Sequence, residues 1–126
     1  MEKAFIYDQH QKHEDWLNRI SFYKEEITIL RERLTELTSK NNAPDFLKSV
    51  EHFENQFKIQ RNNLDELNHS IKQNENALVA EINSNPIAVD HRKIEVDGED
   101  EDFMAYFEKN FAELRAEFNT FSAKWM

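Results

Sequence analysis

The chain has 126 residues, a formal net charge of −9 and no cysteine, and this length predicts one domain that can bury a core. The acidic balance disfavours nucleic acid and anionic membrane surfaces as partners, because both require a basic face. The lack of cysteine excludes disulfides, thiolate metal sites and thiol nucleophiles. No signal peptide is visible, nor a run of about 18 apolar residues that would span a membrane, so we expect a cytoplasmic protein.

One glycine and two prolines favour long helices over a turn-rich β fold. The first predicted helix covers about residues 4–40. From Trp16 to Leu37 its apolar residues alternate steps of four and three, the heptad spacing that keeps one stripe, here called the seam, facing a partner helix. The same rhythm extends backward through His13, Gln9 and Ile6.

The second predicted helix covers about residues 44–82, and Pro44 suits its first turn. Its seam runs from Phe46 to Leu78 and includes Gln60 and Asn74. A linker over residues 83–100 carries four apolar residues that could pack as an extended strap over the bundle end: Ile87, Val89, Ile94 and Val96.

The third predicted helix covers about residues 101–126. It follows an acidic run, Glu99 to Asp102, which favours a helix N-terminus and adds solubility. The run does not fit an EF-hand, because counting back from Gly98 puts Lys93 at the first ligand position. The seam of this helix is almost entirely aromatic or large.

These elements predict an all-α fold, a long antiparallel helical hairpin plus a shorter third helix, packed as a three-helix bundle in the manner of a coiled coil. We expect the third helix to run alongside the first. The hairpin arms would reach roughly 50–60 Å and the third helix only about 35–40 Å. If the third helix starts level with the linker end, at the beginning of the first helix, it ends near Ile27 and Phe57 and leaves the hairpin tip uncovered. Because an uncovered apolar patch usually marks an interface, we expect a homodimer through the hairpin tip, with these interface residues: Leu30, Leu34, Leu37, Phe46, Val50 and Phe53.

Polar residues occupy four seam positions. Antiparallel pairing predicts that Tyr23 lies near Gln60, and that Gln9 lies near Asn74 or Glu75. A buried glutamine needs a hydrogen-bond partner, and the Tyr23 hydroxyl could supply one. We interpret all four seam residues as markers of helix register and oligomeric state rather than as a chemical site.

A metal site is the alternative interpretation, formed by His10, His13, Glu66 and His69. Di-iron carboxylate bundles use two Glu-x-x-His motifs, and this chain has one, at Glu66 and His69. The second motif is missing, and His69 falls on the outer side of its helix, so the ligand number and geometry both fall short.

No catalytic constellation is visible, because the serines lack a nucleophile context and there is no glycine-rich phosphate loop. The sequence therefore predicts a non-enzymatic protein without a cofactor, which self-associates and acts as a scaffold or binds an unidentified protein partner through its helix faces. A third possibility is an acidic protein that sequesters a basic partner, in which case binding would weaken at high salt.

Two stretches resemble a group of small helical-bundle proteins of unknown function from Bacteroidetes-type bacteria. They are "HEDWLNRISFYKEEITILRERL", residues 13–34, and "EHFENQFKIQRNNLDELNH", residues 51–69. The resemblance covers the hairpin but neither the linker nor the third helix. It implies a soluble bacterial helical protein, and it implies no activity and no site residues.

Overall fold

A computed structural model describes residues 2–126. Three long helices dominate it: α1 (Ile6–Thr38), α2 (Pro44–Ser84) and α3 (Glu99–Trp125). The prediction of an all-α three-helix bundle is confirmed, and each predicted helix boundary lies within two residues of the observed one. No helix within residues 2–126 has the length and apolar character needed to cross a membrane.

The hairpin of α1 and α2 follows from the short link between them. The ring of Pro44 occupies the first turn of α2, where a missing N–H costs nothing because that donor would have no helical partner. The two helices then run antiparallel, and Lys24 on α1 forms an ion pair of 2.8 Å with Asp65 on α2. The apolar seam residues of both helices are buried, as their heptad spacing predicts.

The direction of α3 is visible in three contacts with α1. The residues involved recur every seven positions on both helices, so the stagger between the helices is constant and they run parallel. The donor–acceptor pairs are Lys12 with Glu101 at 3.2 Å, Arg19 with Glu108 at 2.9 Å and Arg115 with Glu26 at 2.8 Å.

The prediction of an uncovered hairpin tip is wrong, because α3 reaches the tip. The side-chain amide of Asn41, in the link, donates to the backbone oxygen of Trp125 at 3.1 Å, and the ring of Phe46 stacks on Phe121 with centroids 5.5 Å apart. None of the six predicted interface residues is more than 7% exposed: Leu30, Leu34, Leu37, Phe46, Val50 and Phe53.

The physical reason lies at the other end of the bundle. The prediction started α3 level with the beginning of α1, whereas the pair formed by Lys12 and Glu101 places its first turn further along α1. Lys12 lies six residues after Ile6, where α1 begins, and six residues of helix span about 9 Å. This offset carries α3 to the tip, where it covers the apolar residues that were predicted to form a dimer interface.

A two-stranded antiparallel sheet closes the opposite end, which we call the sheet end. Strand β1 (Glu2–Phe5) pairs with strand β2 (Lys93–Val96), with Glu2 opposite Val96 and Phe5 opposite Lys93. The sequence predicted an extended linker but not its strand partner. Residue 4 was expected to begin the first helix, and it lies in β1 instead.

The linker is ordered by a small second core and by one arginine. Val89 packs with Ile6 and Leu78, and Ile94 packs partly against them, so the predicted strap is confirmed for two of its four residues. Ile87 is 77% exposed, and its predicted packing is wrong. The guanidinium of Arg92 donates to the backbone oxygens of Asn85 at 2.6 Å and Glu81 at 3.4 Å, and it thereby ties the linker to the C-terminal end of α2.

Candidate functional site

A cavity of about 340 Å³ lies between the helices and the sheet. Gln9 of α1, Asn74 of α2 and Asp100 of α3 all line it. Most other seam positions hold large apolar side chains that fill the bundle, whereas these three side chains are short or polar and leave space. The cavity therefore separates the main core from the small core under the sheet.

The cavity wall is part apolar and part acidic. Its lining includes six apolar residues: Ala4, Trp16, Ala77, Leu78, Ile94 and Val96. It also includes six acidic residues: Glu2, Glu81, Glu95, Asp97, Asp100 and Glu101. Only two lysines line it, Lys3 and Lys12, and Lys12 is already paired with Glu101 at 3.2 Å. The lining is thus strongly negative.

Asp100 is the buried charge of the cavity, with 8% of its surface exposed. Its Oδ1 accepts from the Ser70 hydroxyl and its Oδ2 from the Asn74 amide, both at 2.6 Å. Both oxygens act as acceptors, which is the role of a carboxylate. The first turn of α3 supplies a favourable dipole, but no ion pair within residues 2–126 involves Asp100.

His13 is the second buried polar group of the wall, with 2% of its surface exposed. Its Nδ1–H donates to Glu75 at 3.0 Å, and its Nε2 accepts from the amide of Gln9 at 3.2 Å. The Glu75 carboxylate is an acceptor and the Gln9 amide nitrogen is a donor, so the two contacts assign the donor role to Nδ1 of His13 and the acceptor role to Nε2.

Glu75 also accepts a hydrogen bond of 2.6 Å from Nδ1 of His10. The other ring nitrogen of His10, Nε2, lies 3.0 Å from Glu14. The hydrogen bond to Glu75 raises the pKa of His10 above 6.5, and burial opposes part of this effect. One carboxylate thus holds two histidines of α1 against α2.

The predicted pairings of the polar seam residues are only partly correct. Gln9 and Asn74 do line one cavity. Tyr23, however, donates to Glu108 on α3 at 2.6 Å and not to Gln60, because a carboxylate is a stronger acceptor than an amide oxygen. Gln60 is 7% exposed, and its Oε1 has no hydrogen-bond partner among the described residues. The predicted bond between Tyr23 and Gln60 is wrong.

The four residues of the metal hypothesis do not come together. His10 and His13 contact Glu75, whereas Glu66 and His69 are exposed. Among residues 2–126 there is no group of three or more acidic, histidine or cysteine side chains arranged to hold a metal ion. The proposed ligand set is therefore wrong.

Sequence reasoning missed Asp100 and Ser70, and it named Glu75 only as a possible neighbour of Gln9. The acidic run was interpreted as a helix start, although counting back four residues from Met104 puts Asp100 in the seam of α3. Asp100 then falls on the same level as the polar seam residues of α1 and α2. The seam position of Asp100 is the sequence signal that could have identified it, whereas its level beside Gln9 and Asn74 is fixed only by the tertiary structure.

No protein-family model, curated protein or solved structure matches this chain. The functional interpretation therefore rests on the geometry of the cavity and on the charges that line it.

Proposed function

We propose that this chain is a non-enzymatic binding module, and that the cavity at the sheet end is its recognition site. The observation that carries the proposal is the cavity that separates the main core from the small core under the sheet. Three seams that are apolar almost throughout become polar at one level, and a cavity of about 340 Å³ opens there. Ligand pockets of proteins begin at roughly this size, about 300 Å³.

The lining has the composition of a binding site. Apolar residues such as Trp16 and Leu78 can bury a ligand surface, and a few convergent polar groups can orient it. Leaving this space unfilled costs stability, since a cavity forfeits the contacts that an apolar side chain would make. A ligand that occupies the cavity would offset that cost.

A binding role is favoured over catalysis by the way the polar groups are used. Both nitrogens of His13 contact groups of the chain itself, Glu75 and Gln9, and the side chain is 2% exposed, so a substrate would have to displace the Gln9 amide to reach Nε2. Asp100 accepts hydrogen bonds at both oxygens. The groups are fixed in place as recognition groups.

The test is a fragment screen by NMR, with small cationic, neutral and anionic compounds and the Trp16 indole signal as the reporter. Ala77 lines the cavity, so Ala77→Met should fill it and abolish binding. Ala80 is an exposed alanine of α2 outside the cavity, and Ala80→Met is the matched control. If no fragment binds the unaltered protein, or if Ala77→Met binds equally well, the proposal fails.

Self-association is a second proposal, and it now needs a surface other than the tip. Phe22 and Ile29 lie seven residues apart on α1 and are 72% and 53% exposed. Side chains at this spacing share one helix face, and exposed apolar residues of this size favour a contact between copies of the chain. Light scattering over a range of concentrations tests it, with Phe22→Ser as the variant that should lower the measured mass.

A further inference from the structure

The hydrogen bonds around the cavity use the donor groups of its polar side chains and leave acceptor oxygens for a ligand. Glu75 can only accept, so His13 must donate to it from Nδ1. The amide nitrogen of Gln9 lies 3.2 Å from Nε2 of His13 and can only donate, so Nε2 of His13 is the acceptor in this contact. This use of the amide nitrogen leaves Oε1 of Gln9 as an acceptor for a ligand.

The contact between Asn74 and Asp100 likewise leaves acceptor oxygens for a ligand. Asp100 can only accept, so Asn74 must donate to it through Nδ2–H. The Oδ1 of Asn74 is left as an acceptor. Each oxygen of the Asp100 carboxylate also keeps capacity for a further bond, because it has two lone-pair sites and one donor from within the chain.

We infer that the cavity binds a primary alkylammonium group, with Asp100, Asn74 and Gln9 as acceptors for its three N–H donors and Trp16 beside its alkyl stem. This inference rests on the proposed function and names the ligand class of that site. Glu75, through His13, and Asp100 fix the orientation of the Gln9 and Asn74 amides. The cavity therefore prefers a ligand that donates hydrogen bonds.

Charge and burial point to the same ligand class. Asp100 is a carboxylate with only 8% of its surface exposed and without an ion-pair partner in residues 2–126, and a buried charge is costly until it is paired. The other carboxylates of the lining repel an anion. A volume of about 340 Å³ suits a short amine or one lysine side chain rather than a long polyamine.

The experiment compares four small probes on the full chain by NMR titration, with the Trp16 indole and the Asn74 side-chain amide as reporters. The probes are n-butylammonium, n-butanol, n-butyrate and tetramethylammonium. n-Butylammonium and n-butanol have the same alkyl stem, but only n-butylammonium is charged. n-Butyrate is an anion, and tetramethylammonium is a cation that has no N–H donors. We expect only n-butylammonium to bind, and more weakly as salt increases.

Asp100→Asn removes the buried charge with little change of shape and should weaken n-butylammonium binding by about tenfold or more. Asp45→Asn makes the same change of net charge at an exposed residue at the hairpin tip, far from the cavity, and should change binding less than about twofold. A tripeptide with a central lysine and blocked termini distinguishes a lysine of a protein partner from a free amine, and binding of either amine supports the proposal.

The inference is overturned if n-butylammonium does not bind while another fragment does, or if n-butanol, n-butyrate or tetramethylammonium binds as tightly as n-butylammonium. In that case the cavity still binds ligands, and the proposed function stands without this ligand class. If Asp100→Asn fails to fold, the four-probe comparison on the unaltered chain decides the question. If none of the probes and none of the screened fragments binds, the proposed function fails as well.

Discussion

The hydroxyl of Tyr23 donates a hydrogen bond of 2.6 Å to Glu108, joining α1 to α3 beside the stacked rings of Phe107 and Phe111. Both of these rings meet Tyr23 edge-on, with centroids 5.1 and 5.3 Å away. A phenol in this environment is stabilised in its neutral form by burial and by the adjacent carboxylate, and the pKa of Tyr23 is raised to about 12.

The raised pKa of Tyr23 predicts a loss of stability in alkali. In the unfolded chain Tyr23 ionises near its ordinary pKa of 10.0, while in the folded chain it keeps its proton to about 12. The contribution is therefore fully present below pH 10 and is lost as the pH rises from 10 to 12. A phenolate absorbance titration should show a late step that Tyr23→Phe removes. If the late step persists in Tyr23→Phe, the assignment is wrong.

Gln60→Leu should stabilise the protein by about 1–2 kcal/mol, because it removes a buried oxygen without a hydrogen-bond partner and adds apolar contact. Denaturant unfolding measures the change. Gln73→Leu makes the same replacement at an exposed position of α2 and should change the free energy of unfolding by less than about 0.5 kcal/mol. Destabilisation by Gln60→Leu would mean that the amide makes a contact that the fold needs.

Phe46→Ala should destabilise the protein by about 3–5 kcal/mol, because the ring is completely buried and packs against Phe121 and Trp125. Its neighbour Leu47 is 45% exposed, so Leu47→Ala should cost less than about 1 kcal/mol. Urea unfolding of the two variants measures whether α3 covers the tip in solution. Equal, small effects of both changes would mean that the tip is open.

Glu75→Gln should lower the pKa of His10 toward 6.5, because the hydrogen bond to Glu75 is the largest cause of its elevation. Glu14→Gln should lower it less. A raised histidine pKa stabilises the fold fully below pH 6.5, and this contribution is lost as the pH rises through the folded pKa. NMR titration of the His10 ring protons measures both variants, and a larger effect of Glu14→Gln would contradict the assignment.

The sequence predicted the helices well because their information is local. Heptad spacing, a proline in the first turn of α2 and an acidic run before α3 each act within a few residues, and every helix boundary fell within two residues of its prediction. Val89 and Ile94 were likewise predicted to pack at the bundle end from their apolar character.

The candidate site could not be predicted in the same way, because it depends on the relative heights of three helices. Gln9 and Asn74 could be paired from the hairpin link, but the level of Asp100 depends on where α3 starts. That start is set by the β1–β2 pairing and the turn at Gly98, whose φ of +76° suits glycine. A pairing between residues 88 to 94 positions apart cannot be recognised from the local sequence.

The sequence by itself determined three amphipathic helices, an antiparallel hairpin and an acidic surface, since periodicity and charge are properties of the chain. The tertiary structure decided which apolar residues are covered, how far α3 reaches and where the core is interrupted. The physical reason is the stagger between helices. It moves α3 along α1 without changing the seam of either helix, and it alone brings Asp100 level with Gln9 and Asn74.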